Sequence, residues 1–137
     1  MNAQYETVPT ICSYCGCGCG VLLEVLDGVV VGVMPSKSNP VNQGALCIKG
    51  LRLHEFLSSP RRLREPLIRR GKELEPAGWD ETLDFVAERL GAIKAEYGPD
   101  AVGTLCSAKV TNEENYLMQR LIRAAVGTNN IDHCARL

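Results

Sequence analysis

Four cysteines have the types and spacing to do chemistry: Cys12-x2-Cys15-x3-Cys19, and Cys47 further along the chain. Together they supply soft thiolate ligands from one tight loop and one returning segment, as a cubane iron–sulfur cluster requires. Four thiolates also satisfy a tetrahedral structural zinc, which is the bland alternative. Zinc ribbons tend to use two separated Cys-x2-Cys knuckles, whereas here three ligands share one loop and the fourth stands alone in Leu46-Cys47-Ile48. The spacing therefore favours iron and sulfide over zinc.

Glycine makes such a loop possible. Gly16, Gly18 and Gly20 carry no side chain to obstruct a cluster, and each is expected to be able to take positive φ and turn backbone N–H groups toward it. Cys17 is a fifth thiol that a four-ligand cluster does not need. Cys106 and Cys134 have no partner by spacing and read as small buried thiols.

The rest of the composition narrows the function classes. The chain has 137 residues and seven cysteines, with 15 Lys+Arg against 16 Asp+Glu for a net charge of −1. No basic field is available to hold nucleic acid or an anionic membrane. No stretch approaches the roughly 20 apolar residues of a membrane span, and MNAQYETVPTIC lacks the regions of a signal peptide. Arg61-Arg62 and Arg69-Arg70 lie far from the N-terminus and precede no export segment. A cytoplasmic chain is expected, and in that reducing compartment clustered cysteines imply metal rather than disulfides.

Elements must position these ligands. Val21–Val33 holds two apolar, β-branched runs joined by Asp27-Gly28, the composition of a type I′ hairpin. Ser36–Gly44 is turn-rich and returns the chain to Cys47, after which GLRLHEFLSS predicts a short helix ending near Pro60. Residues 5–61 are thus expected to form one small, β-rich, cysteine-pinned domain.

Residues 62–137 are expected to begin a second domain. PLIRR and KELEP flank Arg70-Gly71 as a second hairpin. Asp80 is expected to cap a helix whose Leu83, Val86, Ala87, Leu90 and Ile93 recur at helical spacing and bury one face on a sheet; Gly98-Pro99 stops it. Ala101–Leu105 predicts a strand, and Asn112–Gly127 a helix with Leu117, Leu121, Ala124 and Ala125 on one side. The class is α+β: a β-rich cluster domain followed by the start of a parallel α/β layer, which has too few strands to cover its own faces.

The stretch CSYCGCGCGVLLEVLDGVVVGVMPSKSNPVNQGALCIKG resembles the cluster domain of the oxidoreductases that hold molybdenum or tungsten on two molybdopterin guanine dinucleotides. The similarity continues through EPAGWDETLDFVAERLGAIKAEYGPDAV and NEENYLMQRLIRAAVGTNNIDHCARL. The resemblance implies that Cys12, Cys15, Cys19 and Cys47 ligate a [4Fe–4S] cluster and that Lys49 lies between cluster and pterin as an electron relay. A cation two residues beyond the fourth ligand suits an anionic cluster, although an isolated lysine is ordinarily a surface residue. Ser107, Lys109, Asn112 and Asn115 follow the predicted strand, where open α/β sheets bind ligands, and are expected to contact a guanine dinucleotide.

Nitrate reductases share the cysteine pattern, so the substrate rests on NEENY and IDHCARL, which resemble formate dehydrogenases. There the last stretch runs into a metal-bound selenocysteine or cysteine, which would be the next residue after Leu137. The resemblance therefore implies the N-terminal part of a formate dehydrogenase catalytic subunit, inactive alone. Its partners would be the remainder of that subunit, iron–sulfur electron-transfer subunits, and formate or carbon dioxide. Selenocysteine is encoded by a codon that otherwise means stop, so a gene read without recoding would end at Leu137. His133 precedes the family's active-site histidine and is expected to be structural. A stand-alone electron carrier or zinc module is disfavoured by the unfinished sheet, whose apolar faces would be exposed.

Overall fold

Asp27 and Gly28 both take positive φ, 49° and 79°, as a type I′ turn demands. In the computed structural model, which describes residues 3–134, they join β2 (Gly20–Leu26) to β3 (Val29–Pro35) as an antiparallel hairpin. A strand not expected from the sequence, β1 (Tyr5–Ile11), pairs antiparallel with β2 from Tyr5↔Leu26 to Ile11↔Gly20. The sheet order is β1-β2-β3, so Pro9 lies on an edge strand, where its missing N–H is tolerated.

The chain divides into two compact units. Residues 3–62 form the first together with 107–116 and 134; residues 63–106 and 117–133 form the second. The core of the first unit is Cys12, Val21, Val33 and Leu53, with Tyr14, Cys19, Leu23, Leu46 and Phe56 packed against it. Val21 is completely buried. The helix expected up to Pro60 is shorter: α1 covers Ile48–Leu51, and tight turns follow, with Leu53 N–H on Gly50 C=O, Glu55 on Arg52 and Leu57 on His54. Docking Leu53 and Phe56 on the core replaces the longer helix with these turns.

In the second unit β4 (Leu67–Arg70) and β5 (Glu73–Pro76) form the expected hairpin, with Gly71 at φ 63°. Helix α2 runs Trp79–Tyr97. Its N-cap is Gly78, not Asp80, and Thr82 Oγ1 donates to the Gly78 carbonyl at 2.8 Å. Asp80 and Glu81 sit instead in the first turn, where the helix dipole favours their charge.

The expected burial of the α2 apolar face is not found, since α2 carries no buried residue and Leu83 is 60 % exposed. Only Leu90 packs, against the small core of Val102, Ile122 and Val126. The partner sheet is too narrow to do more. It consists of β6 (Thr104–Cys106) and β7 (Ile131–His133), paired parallel from Thr104↔Ile131 to Cys106↔His133. Two three-residue strands cannot cover a helix of 19 residues.

The predicted strand at Ala101–Leu105 is thus shifted, with a 3₁₀ turn at Pro99–Ala101 ahead of it. Helix α3 (Asn112–Arg120) follows, and the expected continuation to Gly127 is a π-helical turn at Leu121–Val126 that buries Ile122 and Val126. Gly127 closes it in the left-handed region at φ 93°, donating to Ile122 C=O at 2.9 Å. The chain order β6, α3, β7 gives the parallel βαβ step expected, and the mixed α and β class stands. Residues 135–137 of the quoted IDHCARL stretch lie outside the described residues. Among the described residues no helix is long and apolar enough to cross a membrane.

Candidate metal centre

The cysteine loop begins where β1 ends and finishes where β2 starts. Cys12 N–H donates to Cys19 C=O at 2.8 Å, closing the loop at its neck. Cys12 is buried and Cys19 packs on the same core, so both are anchored by the hydrophobic interior of the first unit. Among the described residues no cysteine is in a disulfide.

Burial and neighbouring groups act in opposite senses on two of the candidate thiols. Burial pushes the Cys12 thiol up, an N–H from Tyr14 opposes this, and negative charge on Cys15, Cys19 and Cys47 pushes it further. A buried thiol among other thiols resists ionisation until a cation neutralises the group, which is the environment of a metal ligand. Cys47 behaves in the opposite way. Backbone N–H groups of Gly50 and then Lys49 pull its thiol down, burial opposes them, and the Lys49 charge adds to the lowering. The exposed Cys47, at the N-cap of α1, therefore ionises more readily than an ordinary thiol.

The glycines act differently from one another. Of the three glycines able to take positive φ, only Gly18 does, at 74°. Gly20 is required for close approach, because the Asn39 side chain fills the space a Cβ would take. Asn42 also meets Gly20, which ties the returning segment 36–44 to the residue after Cys19.

Lys49 lies beside an open cleft of about 450 Å³ lined by Tyr14, Ile48, Lys49, Arg52, Glu55 and Phe56. Tyr14 meets Phe56 edge-on at 6.3 Å, and the Arg62 guanidinium lies 4.9 Å from the Phe56 ring centre. The cleft thus combines aromatic walls with the Lys49 cation and an Arg52–Glu55 ion pair at 2.6 Å.

Ser107, Lys109, Asn112 and Asn115 all belong to the first unit. Ser107 Oγ accepts from Lys109 N–H at 3.0 Å, and Asn115 Nδ2 donates to Ser107 C=O at 3.3 Å. Asn112 Nδ2 reaches the cysteine loop and donates to Gly16 C=O at 2.9 Å. Cys106 and Cys134 are not the buried thiols expected: Cys106 is half-buried, and Cys134 is exposed with its Sγ accepting from Ala108 N–H at 3.4 Å. His133 is in β7, with its N–H on the Asp132 carboxylate at 2.8 Å.

As the side chains stand, no group of three or more His, Cys, Asp or Glu among the described residues could hold a metal ion. The donor chemistry nonetheless fits an iron–sulfur cluster. Cys12, Cys15 and Cys19 share a loop closed at its neck by Cys12 N–H on Cys19 C=O, and all four candidates are thiols, the soft donors that iron takes.

Residues 5–59 match the model of the molybdopterin oxidoreductase Fe4S4 domain, and residues 62–137 match that of molybdopterin oxidoreductase. The chain belongs to the molybdopterin oxidoreductase family. It is 48% identical over 134 residues to the F420-dependent formate dehydrogenase 1 subunit alpha of Methanococcus maripaludis, covering 98% of this chain and 19% of that protein. It is 45% identical over the same length, with the same coverage, to the F420-dependent formate dehydrogenase subunit alpha of Methanocaldococcus jannaschii. A putative formate dehydrogenase of Staphylococcus aureus is 43% identical, over 97% of this chain and 14% of its own length. The chain therefore spans about a fifth or less of the length of these curated relatives. Among solved structures, acetylene hydratase from Pelobacter acetylenicus shares the fold, with a TM-score of 0.61 at 23% identity, covering 91% of this chain and 18% of that one.

Sequence reasoning found the thiols, missed Asn42, and singled out Asn112 only as a dinucleotide contact and not for its hold on the cysteine loop. Asn42 and Asn112 sit in turn-rich or helix-start contexts that give no hint of a partner tens of residues away.

Proposed function

We propose that this chain is the N-terminal, cluster-bearing part of a formate dehydrogenase catalytic subunit, with residues 5–61 as the cluster domain and 62–137 as the start of the pterin domain. The match of residues 5–59 to the molybdopterin oxidoreductase Fe4S4 domain carries the cluster reading, and the buried Cys12 on a loop closed by its own N–H on Cys19 C=O supports it. The similarity to formate dehydrogenase alpha subunits over 98% of the chain supports the substrate.

In this reading Cys12, Cys15, Cys19 and Cys47 hold a [4Fe–4S] cluster. When bound, the molybdenum or tungsten bis-pterin centre supplies two-electron oxidation of formate and the cluster supplies single-electron transfer. The residues of the chain set the conditions. Cys12 and Cys19 tie the cluster to the core, Cys47 enters as a thiolate held by the Gly50 and Lys49 N–H groups, and the Lys49 cation offsets negative charge. Tyr14 and Phe56 keep one wall of the cleft apolar, and Lys49 would meet an anionic pterin edge there, while Arg52 is paired with Glu55. Ser107, Lys109, Asn112 and Asn115 lie on the braced segment proposed to meet the guanine dinucleotide.

The further partners are iron–sulfur electron-transfer subunits, and the setting is the cytoplasm. The IDHCARL stretch supports a selenocysteine or cysteine metal ligand following Leu137, and the next codon in the gene tests it: UGA or a cysteine codon is expected. The full-length enzyme is expected to reduce a viologen dye with formate. Nitrate-dependent oxidation of reduced viologen, without formate activity, would overturn the assignment.

A further inference from the structure

We infer that Asn112 is a positioning residue for the iron–sulfur loop, holding the Gly16 peptide between Cys15 and Cys17 through its side-chain amide. The inference rests on the reading that Cys12, Cys15, Cys19 and Cys47 hold the cluster.

Two features of one contact define the pair. Asn112 Nδ2 donates to Gly16 C=O at 2.9 Å across 96 residues of sequence. The Oδ1 of the same amide occupies the space that a Cβ on residue 16 would need, so a side chain there would force the Asn112 amide out of its place. Gly16 has no positive φ to account for its lack of a side chain; room for Asn112 accounts for it.

The clamp stands on a braced base. Thr111 and Glu114 form a capping box at the start of α3: Glu114 Oε2 accepts from Thr111 N–H at 2.7 Å, and Thr111 Oγ1 accepts from Glu114 N–H at 3.3 Å. Asn115 secures the same segment by donating to Ser107 C=O at 3.3 Å. A side chain at the first residue of α3 is thereby presented to the cysteine loop in a defined direction.

The chemical consequence follows from the dipole of the Gly16 carbonyl. Its oxygen carries partial negative charge beside a cluster ligand, and reduction adds an electron to that neighbourhood. An N–H on the oxygen offsets this charge and favours the reduced form, while also holding the loop closed around its ligands.

The test uses the full-length enzyme carrying Asn112→Ala, Asn112→Asp, Gly16→Ala, or Gly16→Ala with Asn112→Ala. Its readouts are iron content, the rate of iron loss to a chelator and the cluster midpoint potential from a redox titration followed by electron paramagnetic resonance. Asn112→Ala is expected to lose iron about three- to tenfold faster, the worth of one hydrogen bond, and to lower the potential. Asn112→Asp keeps the shape but only accepts hydrogen bonds, and should lower the potential further. Gly16→Ala should lose iron faster than wild type, and adding Asn112→Ala should bring it back to the level of Asn112→Ala alone, because the collision is gone. Wild-type release rates and potentials in both Asn112 variants, or simple additivity in the double variant, would overturn the inference while leaving the cluster reading intact. A wild-type enzyme with no cluster on these cysteines would overturn both.

Discussion

Asn42 pairs with both backbone groups of Gly20: its Oδ1 accepts from the N–H at 2.9 Å, and its Nδ2 donates to the C=O at 3.1 Å. The same Nδ2 donates to Ala45 C=O at 2.8 Å. One side chain thus extends the β2 ladder and fastens the segment that delivers Cys47 beside the loop ending in Cys19. Asn42→Ala is expected to lower stability by about 1–3 kcal/mol, since at least two part-buried hydrogen bonds are lost. Urea unfolding followed by circular dichroism checks this; an unchanged midpoint would mean that water replaces the pairing without loss.

Val21 lies at the centre of the core that carries Cys12 and Cys19. Its side chain is fully buried, so Val21→Ala removes two methyl groups and leaves a cavity. A loss of about 2 kcal/mol is expected, together with a weaker hold on iron. Denaturation midpoint and iron retention, measured on the same samples, should fall together.

Cys17 is the fifth thiol of the loop region, and it is exposed. Because four ligands complete the proposed cluster, Cys17→Ser should keep wild-type iron content and a wild-type paramagnetic signal after reduction. Loss of iron in this variant would reassign the ligand set.

The β1–β2 pair carries a pH-dependent contact. Tyr5 Oη donates to Glu24 Oε1 at 2.9 Å, and this hydrogen bond, then desolvation and the Glu24 charge, raise the phenol above its usual value of 10.0. The folded-state value therefore exceeds the unfolded one. The contact contributes its full stability below about pH 10 and loses it as the pH rises through the folded value. The difference in stability between wild type and Tyr5→Phe should be constant at neutral pH and vanish in strong alkali. Tyrosinate absorbance in the wild-type minus Tyr5→Phe difference should rise with its midpoint above the usual 10.0.

What could be read from sequence was local. Asp27-Gly28 and Arg70-Gly71 announced their hairpins because positive φ is confined to few residue types, and the apolar period of α2 and the cysteine spacing were equally visible. β1 was hidden because Pro9 argues against a strand until its edge position is known, and β7 because three residues carry no periodicity. The exposed face of α2 could not be foreseen from its pattern, which encodes a partner surface without saying which residues supply it. Asn42 with Gly20, and Asn112 with Gly16, join positions with no common local pattern; only folding brings them together.

The most direct measurement is metal and sulfide analysis of the chain after anaerobic reconstitution, with electron paramagnetic resonance before and after dithionite reduction. About four iron and four sulfide per chain, with a signal that grows in on reduction, is the predicted result. One zinc per chain, no sulfide and no reducible signal would contradict the account.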